Sequence, residues 1–475
     1  MVQLGPAIDS NEGDHRLVDL AAAELADALV PRNGSRFMRP DLQPPAGPTV
    51  VRAVSRWEIV GIAINGVIGS GIYLLPAAAA ALLGPASLLA VLLAGFAVAL
   101  LVLCFAEAAS HFDEPGSGYV YAREAFGPFV GFEVGWMTWL ARVASVASLS
   151  NGFALALAYL WPPASTGWSR ALAITLPLLL LSWINVVGVK QGARTAVFFT
   201  IAKTLPLVLF IAVGIWAVEW SRLWPTSAPP AGRLGEAALL LLFAYAGFEN
   251  AAAPAGEYRD PKRDVPFALL TMIVIVTLLY VLVQLVALGT LPGLAGSESP
   301  LAEAMGGLVG VWGGLLLTVA AVISIQGNVA GSILAGPRYL FALAQDGFGP
   351  HALSRVHPRY RTPYIAILVQ AGVALALALS GSFVGLAMLS IIARLATYIV
   401  TAAAVPVLRK KFGVAEGALR LPGGPAIPIA ALLLSLGLLA SSTVWNLVAG
   451  GAALVAGALL YRYRRRPIAA SAVTM

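Results

Sequence analysis

Apolar runs of about twenty residues, separated by short polar stretches, recur along nearly the whole chain. In helical form a run of that length spans a bilayer's hydrocarbon core, whereas barrel strands would be short and strictly alternating. The pattern predicts an all-α membrane protein with twelve transmembrane helices. The first six cover Trp57–Leu83, Ala86–Ser110, Pro128–Leu160, Ala171–Val189, Ala193–Glu219 and Leu234–Gly256. The last six cover Pro266–Leu291, Gly310–Ala344, Pro363–Ser380, Phe383–Leu408, Ile427–Ser442 and Val444–Tyr463. Only Ser441, Ser442 and Thr443 separate the final pair.

The chain's start departs from this pattern. Residues 1–54 are polar, contain Pro and Gly, and lack the basic-then-apolar order of a cleavable signal peptide. They are expected to be a cytoplasmic tail, partly disordered, with one candidate amphipathic helix from Leu17 to Val30. Residues 55–463 form the membrane domain, and 464–475 a second cytoplasmic tail.

Composition agrees: 59% of residues are hydrophobic, 11% are charged and mean hydropathy is +0.84, far too little charge to coat a soluble protein. The net charge of +7 raises the question of a nucleic-acid partner, but its distribution argues against one. With the N-terminus inside, the outer loops hold only Arg170, Arg222 and Arg233, and Arg142, Lys203 and Arg394 fall within spans. The remaining 24 of 30 basic residues lie on the inner side, as the positive-inside rule requires. Both termini are therefore expected in the cytoplasm of a cell-membrane protein. One cysteine, Cys104, excludes a disulfide framework or a thiolate metal site.

Two spans carry sequences that a continuous helix would not choose. The first holds Asn65-Gly66-Val67-Ile68-Gly69-Ser70-Gly71-Ile72-Tyr73, and the sixth Phe243-Ala244-Tyr245-Ala246-Gly247-Phe248-Glu249, with Pro254 beyond. Glycine costs about 1 kcal/mol in a helix interior, and unwound backbone at membrane depth is tolerated only where protein encloses it. Paired interruptions of this kind point to a transporter's substrate site. A broken helix offers N–H groups to a carboxylate at the start of its second half, and carbonyls to an ammonium at the end of its first. An α-amino acid carries both charges. A lone Gly-x-Gly fits close helix packing equally well; the second break favours a site. Candidate substrate residues are Ile68, Gly69, Ser70, Gly71, Ile72, Arg142, Phe243, Ala246, Gly247, Phe248 and Glu249.

The chain resembles the amino acid–polyamine–organocation superfamily of transporters over roughly Ser55 to Lys411. The likeness rests on Gly69 to Tyr73, Phe105-Ala106-Glu107-Ala108, Gly116 to Tyr121, Phe243 to Glu249, and Gly256 to Pro266. It implies the leucine-transporter-like fold of two inverted five-helix repeats, here about 55–219 and 234–408, with helices 427–463 outside them. It also implies alternating access around a midplane site.

Ionisable residues within spans are functional candidates. Lys203 lies about ten positions inside the fifth span, too deep to reach the interface. The resemblance implies that a lysine here takes the place of a sodium ion and links the fifth span to the broken first. Lys203 is therefore expected to be a proton-coupling element or a fixed positive strut. Glu249 is expected to carry a proton, accept a hydrogen bond from substrate or brace the unwound backbone. The two are the candidate coupling residues, with a proton as coupling ion and no other cofactor. Arg142 is expected either to pair with Glu249 or to receive a side-chain carboxylate, and Arg394 to satisfy carbonyls or a carboxylate elsewhere in the bundle. Glu107 is expected to meet a base such as Arg123, and the charges around Asp260 to Val265 to be solvated.

There is no phosphate-binding loop, metal cluster or nucleophile–base pair, so pumps and membrane enzymes are disfavoured. The expectation is a secondary amino acid transporter in the lipid bilayer, by proton symport. The alternatives are an amino acid or amine exchanger and, from another class, a transporter-like sensor. Oligomeric state is not legible.

Overall fold

Helices are the only regular elements among the described residues; the β-bridge between Val54 and Tyr258 is isolated. With no water in hydrocarbon, an apolar chain must keep each backbone N–H and C=O bonded within its own segment. The computed structural model describes residues 54–112, 117–188, 193–225, 227–252, 258–413 and 419–462. All belong to one unit, Arg52–Met475. The helix expected at 17–30, the two tails apart from Val54, and the motif residues Gly116, Pro254, Gly256 and Glu257 lie outside the described residues.

In chain order, α1 (Arg56–Val67) is separated from α2 (Ser70–Leu83) by Ile68 and Gly69. Then come α3 (Ser87–Ala109), the short α4 (Ser117–Phe126), the long α5 (Pro128–Ala158), α6 (Gly167–Val187) and α7 (Ala193–Gly214). α8 (Ala231–Tyr245) leads through Ala246 and Gly247 into a 3-10 turn, Phe248–Ala252. α9 (Pro261–Thr290), the short α10 (Pro300–Val309) and α11 (Val311–Gln345) follow. The last are α12 (Tyr364–Ser380), α13 (Phe383–Phe412), α14 (Ala426–Ala440) and α15 (Val444–Arg462). Nine helical stretches among the described residues are long and apolar enough to cross a membrane, and α12 and α14 are shorter apolar helices.

The helix starts have local causes. The Ser55 N–H and hydroxyl both donate to the Glu58 carboxylate, at 2.8 and 2.9 Å, which satisfies the exposed start of α1. Proline opens α5 and α9, where its missing N–H removes no helical bond. The helix expected from Pro266 begins at Pro261 and carries Pro266 inside it. As the sixth residue it lies just past the first turn and removes one helical N–H.

α5 sits centrally, against α11, α13, α12 and α4. Its most apolar stretch is 78% buried against 11% for α15, which puts α15 at the edge with an apolar face turned outward.

Two expected charge arrangements differ. Glu107 does not pair with Arg123. Its Oε2 accepts from Arg409 Nη2 at 2.7 Å and from the Leu421 N–H at 3.1 Å. The cause is that α13 continues past Leu408 to Phe412, carrying Arg409 to the end of α3. Arg123 lies instead 3.6 Å from Glu124 and over the Tyr119 ring. Asp264 is buried rather than solvated, because it accepts the Asp260 N–H at 3.3 Å and faces Arg56 at 3.8 Å.

Candidate functional site

The two predicted breaks meet each other. α1 stops where Ile68 turns to extended backbone, and α8 stops at Tyr245 for the same reason at Ala246. Gly247 then takes φ +118°, in the left-handed region that favours glycine. A Cβ on Gly247 would lie 2.3 Å from the Gly66 carbonyl oxygen, so only glycine allows this approach. A Cβ on Gly69 would meet the Asn328 side chain at 2.3 Å.

Unwinding leaves carbonyls at the end of α1, and Lys203 of α7 meets them. Its Nζ donates to Asn65 O at 3.2 Å, Ile68 O at 3.3 Å and Asn328 Oδ1 at 2.9 Å. Ser324 also donates to Ile68 O, at 3.2 Å. Lys203 is fully buried, so it does not snorkel to an interface. Tyr73 OH donates back to Lys203 O at 2.9 Å, tying α7 to both sides of the break.

The opposite end of the break stays open. Among the described residues no side chain caps the start of α2, so its first-turn N–H groups remain available, and the buried Ser70 hydroxyl has no partner there. Gly69, Ser70 and Gly71 line a cavity of about 400 Å³. That size falls in the range of small-molecule sites, about 300–1,000 Å³.

Glu249 braces the second break. It forms an ion pair with Arg394 of α13 and accepts from Tyr398 OH and the Gly247 N–H, each at 3.0 Å. The expected pairing of Arg142 with Glu249 therefore does not form; the carboxylate's oxygens are already taken by donors from α13 and from its own turn. Arg142 donates instead to Asn250 Oδ1 and lies over the Tyr339 ring at 5.5 Å.

Of the eleven expected substrate residues, Gly69, Ser70, Gly71, Arg142, Phe243, Ala246 and Gly247 line the cavity. Ile68 and Ile72 point into the apolar core. Phe248 packs between Phe105 and Tyr398, at 5.2 Å from each, and Glu249 lies behind the lining. Phe243 does sit at the cavity wall, edge-on to Phe383 at 6.2 Å.

Sequence reasoning missed Asn65, Asn250, Asn328, Arg338 and Tyr339 as cavity residues. A signal was present in α11. Gly327, Gly331 and Ala335 recur every four residues, so one helical face carries no bulk, and Asn328 and Ser332 lie beside them. Arg338, counted above with the inner-side basic residues, reaches back into the cavity and donates to Asn185 Oδ1 at 3.0 Å.

Comparison with known proteins agrees with this architecture. Residues 54–465 match the family model described as amino acid permease. The chain is 29% identical to the branched-chain amino acid permease of Bacillus subtilis, over 81% of this chain and 87% of that protein. It is 30% identical to the serine/threonine exchanger of the same organism, over 83% and 92%. It is also 30% identical to the B. subtilis methylthioribose transporter, over 80% and 86%. The family and these relatives are permeases and transporters, not enzymes.

Proposed function

This chain belongs to the amino acid permease family of the amino acid–polyamine–organocation superfamily, an integral multi-pass membrane protein, and on that premise we propose that it is a secondary amino acid transporter working by proton-coupled symport. The observation that carries the reading is the cavity between the two breaks, with uncapped N–H groups of α2 on its wall. An amino acid's carboxylate suits those donors, and its ammonium suits the carbonyl at Ala246, where α8 has stopped.

The finer architecture belongs to the same proposal. Reading α1 with α2, and α8 with its 3-10 turn, as single interrupted spans gives twelve spans arranged as two inverted repeats. Cytoplasmic tails of 1–54 and 464–475 flank them, and the protein resides in the cell membrane. The exposed tryptophans suit spans that cross a bilayer. Among the described residues, Trp161, Trp168, Trp216, Trp220, Trp224, Trp312 and Trp445 fall on the side opposite the basic loops and Trp57 and Trp183 toward them, as belts at both interfaces would. The cavity then faces the cytoplasm, since Ile62, Ala335 and Tyr339 lie on the inner halves of their helices.

Lys203 is the proposed coupling element. Losing its proton would remove the charge that holds the carbonyls of Asn65 and Ile68 together, freeing α1 to move against α7. An exchanger is the second reading, favoured by the three oxygens around a fully buried ammonium, which suit a permanently charged strut. Uptake of radiolabelled amino acids into proteoliposomes, with and without an inward proton gradient, separates them. Symport predicts gradient-driven uptake that Lys203→Ala abolishes; uptake indifferent to the gradient and dependent on internal amino acid contradicts it.

A further inference from the structure

The cavity is strongly cationic. Three guanidiniums, those of Arg142, Arg338 and Arg394, reach it, while the nearest carboxylate, Glu249, is committed to Arg394 and lies behind the wall. Arg142 and Arg338 form no ion pair among the described residues. Their side-chain acceptors are neutral amide oxygens, of Asn250 and Asn185.

Arg142 is the informative one. It is 2% exposed, at mid-depth on α5, and lines the cavity; its buried Nε, like that of Arg394, has no hydrogen-bond partner among the described residues. A buried guanidinium is costly unless its charge and its donors are matched. The Tyr339 ring lies 5.5 Å from its Cζ and offers a cation–π contact but no carboxylate. A planar guanidinium at a cavity wall, with no carboxylate of its own, suits an incoming carboxylate. The backbone sites at the breaks already suffice for a substrate's α-carboxylate and α-ammonium. A neutral amino acid would therefore leave Arg142 as it stands, and a cationic one would add repulsion.

Building on the transporter reading, we propose that the substrate is an amino acid with an anionic side chain, and that Arg142 is the residue that selects it. The side-chain carboxylate binds the Arg142 guanidinium at the cavity wall, while Arg338 adds long-range attraction for an anion. The Glu249–Arg394 pair holds the floor in place and does not contact the side chain.

The test is self-exchange in proteoliposomes containing the full-length protein. Vesicles are loaded with L-glutamate, L-aspartate, L-leucine, L-serine or L-lysine, and entry of the same radiolabelled amino acid is timed. This readout works for symporter and exchanger alike. The wild type is expected to exchange glutamate or aspartate at least tenfold faster than leucine, serine or lysine. The acidic-to-neutral ratio is expected to fall about tenfold to a hundredfold in Arg142→Gln, the loss of a charge-assisted hydrogen bond, and less in Arg142→Lys. Faster exchange of a neutral or cationic amino acid by the wild type overturns the inference while leaving the transporter reading intact, as does a ratio unchanged by Arg142→Gln. Should Arg142→Gln not fold, the wild-type preference and the Arg142→Lys ratio decide. Exchange of no amino acid at all overturns both readings.

Discussion

Replacing Glu249 with glutamine removes one charge from a buried ion pair at nearly constant volume. The carboxylate serves three donors, the Arg394 guanidinium, Tyr398 OH and the Gly247 N–H. Glutamine has one acceptor oxygen and turns an NH2 group toward donors, so at least one bond is lost. Arg394, 7% exposed, is left without a counter-charge. Removing one partner of a buried pair costs about 3–5 kcal/mol. For a chain of this length a kilocalorie corresponds to about 1–2 °C, by extension from smaller domains, which gives a fall of roughly 3–10 °C. The assay is thermal unfolding of the purified full-length protein in detergent, followed by tryptophan fluorescence. Arg394→Met alone should cost about as much, since it strands the carboxylate. The double variant removes both charges and should melt above either single variant, because an apolar replacement of a whole buried pair is often near neutral. A double variant whose loss equals the sum of the two singles would refute the view that this pair braces the second break.

Two further predictions concern the breaks and the inner surface. Gly247→Ala must hold a side chain at φ +118° and place Cβ 2.3 Å from the Gly66 carbonyl. Backbone strain of about 1–3 kcal/mol and separation of the two breaks should cut uptake more than tenfold, though protein is still recovered from the membrane; undiminished uptake would show that the contact is dispensable. Glu124, on α4, is held below the ordinary carboxylate value of 4.5 chiefly by the hydrogen bond from Lys411, with its burial opposing. A depressed value means the tie between α4 and α13 is complete above the ordinary value and lost as pH falls through the lower one. Hydrogen exchange of α4, corrected for intrinsic rates, should therefore be flat between about pH 5 and 8, and a rise across that window would contradict the assignment.

The breaks were legible because glycine leaves a mark that tertiary context rarely hides. The run Gly66, Gly69, Gly71 and the single Gly247 stand inside apolar helices, and their positions coincide with the unwinding. Lys203 was legible for a similar reason, since an ammonium ten residues inside a span must find oxygens, and broken backbone supplies them. Partner choice between distant spans was not legible. Whether Glu249 meets Arg142 or Arg394 depends on how α5 and α13 are rotated about their axes, and apolar spans with buried faces on several sides leave that rotation weakly marked. Helix ends mattered as well. A helix four residues longer than expected carried Arg409 to Glu107 and left Arg123 to its neighbour Glu124. Asn65 and Asn328 escaped notice because single amides in spans fit helix–helix packing as well as a cavity wall.

The central claim is that the cavity between the breaks is the translocation site, and blocking it tests that claim most directly. Ser332 lines the cavity on α11, and Cys104, the chain's one cysteine, is buried elsewhere. In a Cys104→Ser background, Ser332→Cys would be labelled with a bulky maleimide, and self-exchange of the amino acid that the wild type transports fastest would be timed. The account predicts that labelling stops exchange and that saturating amino acid slows the labelling. Unimpaired exchange after complete labelling would contradict it, because the substrate would then cross the membrane by another route.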